Sequence, residues 1–151
     1  LGLKIKIYSK YFDSIKEEHK NYESVDLKNL IQESDIVSFH CKANKDSKPL
    51  IDFEMLKSMK KNSLIINTAR GNLINENDLK TVLEEGYIKG AAFDVFSSEP
   101  ATENVLFNVP NLILTPHIAA STVEAQIVVA EQIAKQISEY FNSGKVINAV
   151  I

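Results

Sequence analysis

Four short apolar runs set between amphipathic stretches constrain this chain more than any other feature. They are residues 36–39, 64–66, 88–96 and 111–114. The first, Ile-Val-Ser-Phe, is long enough for a buried strand and too short for a helix. The runs do not alternate apolar with polar residues, as strands with one wet face do. Continuous apolarity with helices in between is the pattern of a parallel sheet covered on both faces. Right-handed crossovers then carry the carboxyl end of every strand to one edge. The expected fold class is α/β, a doubly wound parallel sheet.

Local signals place the remaining elements. Residues 4–8 read as a strand with Ile5 and Ile7 on one face, and residues 14–21 as a weak helix or loop. Asp26 is a candidate N-cap for a helix whose stripe is Leu27, Leu30 and Ile31. A polar loop, 42–48, leads to Asp52, which caps a short helix holding Phe53, Met55, Leu56 and Met59. Lys60-Lys61 falls at the end of that helix, where cations complement the dipole. Residues 76–85 form a helix with Leu79, Val82 and Leu83 inward and Gly86 just beyond. A long helix over 121–143 carries Ile127, Ala130, Ile133, Ala134, Ile137, Tyr140 and Phe141 on its stripe, and Gly144 ends it. The chain opens at Leu1 in a strand without a preceding cap or signal peptide, so it is expected to belong to a longer protein.

Composition removes several function classes. The net charge is −3, from 17 basic and 20 acidic residues, which favours neither nucleic acid nor an anionic membrane. No apolar run approaches the roughly 18 residues that a membrane-crossing helix needs. Cys41 is the only cysteine, so no internal disulfide or cysteine metal cluster is expected, and the cytosol is the expected compartment. No two of the five glycines stand two positions apart, so the G-x-G-x-x-G nucleotide fingerprint is absent.

In such a sheet, ligands bind outside the carboxyl ends of the strands. Arg70, Glu99 and His117 each fall within a few residues of where a different apolar run stops. A cation, a carboxylate and an imidazole would thus share one rim. Each also has a plain structural reading: Arg70 as a solvated turn residue before Gly71, Glu99 as a loop carboxylate before Pro100, His117 as a cap or core residue after Pro116. Asp94 interrupts an apolar run, and an unpaired carboxylate in a dry interior costs several kcal/mol. It is expected either at the open end of its strand or beside a partner. His40 and Cys41 end a strand, where lining a wall is favoured over catalysis.

Three segments together resemble a known family. They are Asn67-Thr-Ala-Arg-Gly-Asn-Leu-Ile-Asn-Glu, Gly90-Ala-Ala-Phe-Asp-Val-Phe-Ser-Ser-Glu-Pro and Thr115-Pro-His-Ile-Ala-Ala-Ser-Thr. In order and spacing they are similar to the D-isomer-specific 2-hydroxyacid dehydrogenases, over essentially the whole chain. The resemblance implies a Rossmann-like sheet that is incomplete here, its first strand and glycine-rich turn missing. Residues 1–151 would be the C-terminal part of a dinucleotide-binding domain, with 144–151 leading out and the substrate lobe absent.

The same resemblance implies roles. His117 would be the general acid/base at the substrate 2-hydroxyl, a task suited to a group that titrates near neutrality. Glu99 would hydrogen-bond the imidazole, and Arg70 would hold the substrate carboxylate in a forked pair. Asp94 would face the nicotinamide carboxamide. Cys41, Thr68, Ala69, Ala119 and Ala120 match cofactor-contacting positions, with Arg70 and His117 beside them. The cofactor implied is NAD. Where the family carries an acid after the first strand of this chain, Ser9-Lys10 stands instead, which removes a repulsion toward a 2′-phosphate and admits NADP. Lys42 stands where the family more often has proline.

The implied partner is a small 2-hydroxy or 2-oxo acid, with no nucleic acid, membrane or metal, and a homodimer through this domain is allowed. Ser121-Thr-Val-Glu-Ala-Gln and Val146-Ile-Asn-Ala-Val are most similar to members acting on 3-phosphoglycerate, the first step of serine synthesis. The alternatives are a D-lactate or hydroxypyruvate/glyoxylate reductase, or a silent remnant or binding module. Without the glycine-rich turn and the other lobe, the chain alone is expected to be inactive.

Overall fold

The computed structural model describes residues 2–9, 11–12, 17, 19–43 and 48–149. Lys10, residues 14–16 and 18 of the weak helix or loop, and residues 44–47 of the polar loop lie outside the described residues. The chain forms two compact units, Leu1–Pro116 and His117–Ile151.

In the first unit, β1 (Lys6–Ile7), β2 (Glu23–Ser24), α1 (Leu27–Glu33), β3 (Ile36–Phe39), α2 (Phe53–Lys57) and β4 (Leu64–Asn67) follow in order. A 3-10 turn at Gly71–Leu73, α3 (Glu76–Glu84), β5 (Gly90–Phe93) and β6 (Leu112–Leu114) complete it. The expected parallel sheet is present in two pieces. One runs β3-β4-β5-β6 and the other pairs β1 with β2, every pair parallel. Among the described residues β1 and β3 each have a single partner, so each presents an unpaired edge. The Lys6 ammonium reaches from β1 to the Glu33 carboxylate at the end of α1, which with Glu23 holds its pKa above the usual lysine value.

Short polar side chains start the helices, Asp26 and Asp52 as anticipated and Asn75 besides. Asp26 Oδ1 accepts from the Asn29 N–H at 2.8 Å, Asp52 Oδ1 from the Met55 N–H at 3.0 Å, and Asn75 Oδ1 from the Asn77 and Asp78 N–H groups at 2.9 and 3.3 Å. These contacts satisfy amides that have no partner within a helix's first turn. Helix α2 is shorter than the stripe suggests, because Ser58 caps it and Met59 is buried beyond its end. Beyond that terminus the Lys60 ammonium pairs with Asp35 at 2.8 Å.

Val37, Phe39, Ile65 and Phe93 point to the covered face of the larger sheet, where they join Ile31, Leu56, Leu79, Val82 and Leu83 in one buried cluster. Helix α2 packs against both α1 and α3, so the three form a layer. On the opposite face the cross-strand row runs Ser38, Ile66, Ala92, Ile113. Ile66 and Ala92 are half-buried there, whereas Ile113 is 68 % exposed and Ile36 on the same face is exposed too.

The strand expected over 88–96 is shorter. β5 ends at Phe93; Asp94 stands one residue beyond, and Val95 and Phe96 are buried outside the ladder.

The second unit holds α4 (Val123–Ser143), within the range expected. Thr122 Oγ1 accepts from the Ala125 N–H at 3.2 Å to start it. Gly144, at φ 70°, ends it in the left-handed region that glycine enters without a Cβ penalty. None of its residues is buried, and the stripe residues Ile127, Ile133, Ile137 and Phe141 are exposed. No helix among the described residues is long and apolar enough to cross a membrane.

Candidate active site

The strands of the larger sheet stop level with one another. Phe39, Asn67, Phe93 and Leu114 are successive cross-strand partners and also the last residues of β3 to β6. The turns that follow therefore leave from one edge: His40-Cys41, Thr68-Ala69-Arg70, Asp94 and Thr115-Pro116. This is the common edge of strand ends expected from parallel pairing.

Asn67 shapes the turn that carries Arg70. It is fully buried in an otherwise apolar rung. Its Oδ1 accepts from the Ala69 N–H at 3.1 Å, and its Nδ2 donates to the Arg70 carbonyl at 3.0 Å. The amide thus closes a local turn with both of its ends, as asparagine does where the backbone must reverse. Arg70 is exposed, and its Nη1 donates to the Ala69 carbonyl at 2.6 Å. That contact uses one of five guanidinium donors in a planar fork matched to a carboxylate.

Phe39, His40, Cys41, Lys42, Thr68, Ala69 and Arg70 line an open cleft of about 320 Å³ between the ends of β3 and β4. Cys41 is exposed at the cleft, and partial desolvation of its thiol raises its pKa above the ordinary value. His40 Nε2 and Ser38 Oγ share a hydrogen bond at 2.8 Å. The cleft presents a hydroxyl from Thr68 and two cations, Lys42 and Arg70, beside apolar carbons of Phe39 and Ala69. Donors and positive charge against an apolar wall fit one flank of an anionic dinucleotide, so the residues present suit part of the implied cofactor.

Both alternatives for Asp94 hold at once. It is nearly buried at the open end of β5, and Thr115 Oγ1 donates to its Oδ1 at 2.5 Å. Its N–H donates to the Asn67 carbonyl at 3.0 Å, extending the ladder by one bond. Glu99 is exposed, and its Oε1 accepts from the Phe96 N–H at 2.8 Å. The Phe96–Ser97 peptide presses on Gly71: a Cβ there would stand 1.9 Å from the Phe96 carbonyl carbon. The turn after Arg70 and the loop bearing Glu99 are thus in direct backbone contact.

Ser9 stands two residues after β1, where its Oγ accepts from the Tyr11 N–H at 3.2 Å. His117, Ala119 and Ala120 belong to the second unit. His117 has φ 53°, in the left-handed region that few side chains other than Asn, Asp and His occupy. Behind it the Ser121 N–H donates to the Ile118 carbonyl at 2.9 Å, and Gln126 Nε2 to the Ala120 carbonyl at 2.7 Å. Among the described residues no group of three acidic, His or Cys side chains could hold a metal.

Sequence reasoning gave no role to Asn67, Gly71, Glu76 or Thr115. Only Asn67 carried a usable signal, a polar residue closing an apolar run before Thr-Ala-Arg-Gly. The others act through partners distant along the chain.

Residues 1–119 match the family described as D-isomer specific 2-hydroxyacid dehydrogenase, NAD binding domain. A glyoxylate reductase of Thermococcus litoralis is 40 % identical over 136 residues, covering 90 % of this chain and 41 % of its own. A glycerate dehydrogenase of Methylorubrum extorquens is 41 % identical over 129 residues (83 % and 41 %), and a D-3-phosphoglycerate dehydrogenase of Synechocystis is 39 % identical over 139 (92 % and 25 %). This chain therefore spans less than half the length of those relatives. Among solved structures, an acyclic imino acid reductase in complex with NADPH and D-Arg superimposes with a TM-score of 0.81 at 30 % identity, over 98 % of this chain and 46 % of that one. The NAD-complexed D-isomer specific 2-hydroxyacid dehydrogenase of Lactobacillus delbrueckii ssp. bulgaricus does so with 0.70 at 30 % identity, over 89 % and 47 %. The chain belongs to the D-isomer-specific 2-hydroxyacid dehydrogenases and carries sequence of their NAD-binding domain.

Proposed function

We propose that this chain is the nucleotide-binding and acid–base part of an oxidoreductase that interconverts a small D-2-hydroxy acid and its 2-oxo acid. The observation that carries the reading is the level ending of β3 to β6, which puts the Arg70 turn, Asp94 and the cleft on one sheet edge. Bound in the cleft, NAD would supply the nicotinamide that accepts or returns hydride. Cys41, Thr68, Ala69 and Arg70 would line its pocket, Asp94 would orient the carboxamide, and Ala119 and Ala120 would add backbone contacts. Ser9, in place of an acid, leaves NADP admissible.

Arg70 binds the substrate carboxylate through its fork and polarises the neighbouring carbonyl. His117 takes the proton from the 2-hydroxyl in oxidation and returns it in reduction, and Glu99 keeps the imidazole oriented. General acid–base catalysis of this kind typically contributes ~10²–10⁴-fold. The favoured substrate is 3-phosphoglycerate, on the likeness of residues 121–126 and 146–150. The similar identities to a glyoxylate reductase and a glycerate dehydrogenase support a second choice, a short 2-oxo acid without phosphate.

The test is turnover by the full-length protein that contains this chain, against 3-phosphoglycerate, D-glycerate, D-lactate, hydroxypyruvate and glyoxylate, with NAD(H) and NADP(H). Turnover of at least one pair that drops by at least 10²-fold in both Arg70→Ala and His117→Ala supports the reading. No turnover of any pair overturns it, in favour of a silent binding module. A strong preference for NAD rejects the NADP option.

A further inference from the structure

Glu76 occupies the first turn of α3, directly after its cap Asn75, and it turns away from that helix to hold a distant loop. Its Oε1 accepts from the Ser97 N–H at 2.7 Å; its Oε2 accepts from Ser97 Oγ at 2.8 Å and from Asn104 Nδ2 at 3.0 Å. These partners lie 21 and 28 residues further along the chain. Three donors converge on one partly buried carboxylate, and hydrogen bonds to an ionised acceptor are about twice as strong as neutral ones. They grip both ends of the loop between residues 97 and 104, and Glu99 sits inside it.

The same loop is fixed from two other directions. The Phe96 N–H is bound by Glu99 itself, and the Phe96–Ser97 peptide rests on Gly71, one residue after Arg70. The peptide is therefore clamped between Gly71, where no side chain intervenes, and the Glu76 carboxylate. A loop secured this way cannot shift toward or away from the Arg70 turn without breaking charge-assisted bonds. Solubilising the start of α3 or favouring its dipole would need only an exposed carboxylate.

We infer that Glu76 is a positioning residue of this site, a carboxylate that sets the distance between the Glu99 loop and the Arg70 turn. The inference rests on the roles proposed above for Glu99 and Arg70. Misplacement of a catalytic group by about 1 Å can cost on the order of 10²-fold in rate. Loss of the tether should therefore act on kcat, while binding in the cleft between β3 and β4 continues unchanged.

The experiment uses the full-length protein that contains this chain and four variants: Glu76→Ala, Glu76→Gln, Glu99→Gln and the Glu76→Ala/Glu99→Gln pair. Glu76→Ala should lower kcat by roughly 10- to 100-fold, with the dissociation constant for NADH, read by its fluorescence, unchanged. Glu76→Gln keeps an oxygen for the Ser97 N–H and should recover part of the loss. With Glu99 already replaced, Glu76→Ala should cost little more, because it acts through that group. Equal losses of kcat from Glu76→Ala in both backgrounds would overturn the inference, and so would an unchanged kcat in the single variant. Should Glu76→Ala not fold, Ser97→Ala removes one of the three bonds, and the same comparison with and without Glu99→Gln decides. If Glu99→Gln itself leaves kcat intact, it is the proposed role of Glu99 that fails, and that outcome is read from the single Glu99 variant alone.

Discussion

Gly71 tolerates no side chain larger than its own hydrogen. A methyl there would overlap the Phe96 carbonyl carbon, the Phe96 oxygen and the Ser97 nitrogen, all backbone atoms that no rotamer change can move aside. Gly71→Ala is expected to cost about 1–3 kcal/mol or more, as overpacking does, and to lower turnover together with stability, since the displaced peptide leads to Glu99. Urea unfolding and kcat measured on the same preparations check both halves; unchanged values for both would refute the contact. Cys41 offers a test by pH. Burial raises its pKa, so the reactive thiolate forms only at higher pH than in an ordinary thiol. Its alkylation by iodoacetamide should be slower than that of a free cysteine at pH 8, with a rate midpoint shifted to higher pH. If the cleft takes the cofactor, NADH should slow the reaction further.

At the scale of elements, local chemistry was readable and mutual packing was not. Asp26 and Asp52 begin helices where they were expected as caps, since the capping bond spans only two or three residues. Asn75 does the same for α3 with two backbone donors, so Asn75→Ala should destabilise the unit by about 1 kcal/mol. Because Glu76 follows it, the variant should also loosen the loop bearing Glu99. Thermal unfolding and proteolysis between residues 97 and 104 read the two effects separately. β5 ends three residues before the apolar run does, because Val95 and Phe96 are as apolar as the strand but are buried outside its ladder. Arg70, Asp94, His40 and Cys41 were legible from the apolar runs that carry them, whereas Thr68 and Ala69 came only through the family resemblance. Glu76 was not, because its meaning lies in contacts made across the fold.

For the whole chain, continuous apolarity foretold a sheet with two covered faces, and two strand residues on one face stand exposed. Ile36 and Ile113 on the open face, with Ile133, Ile137 and Phe141 on α4, leave large apolar side chains exposed to water. Scattered exposed apolar residues are ordinary; faces of this kind are where proteins meet partners or aggregate. The 151-residue chain studied by itself should therefore bind a hydrophobic dye such as ANS and self-associate with rising concentration in sedimentation. Ile133→Glu with Phe141→Glu should reduce both signals and leave the thermal midpoint of the first unit where it was. Retained dye binding in that variant would locate the sticky surface elsewhere. The level ends of β3 to β6 carry a different consequence. Turns hung from a common baseline can be lengthened, shortened or rewritten singly, as neighbouring hooks on a rail take different tools, while the rail keeps its shape. A scaffold of this kind lends itself to changing what it grasps one turn at a time.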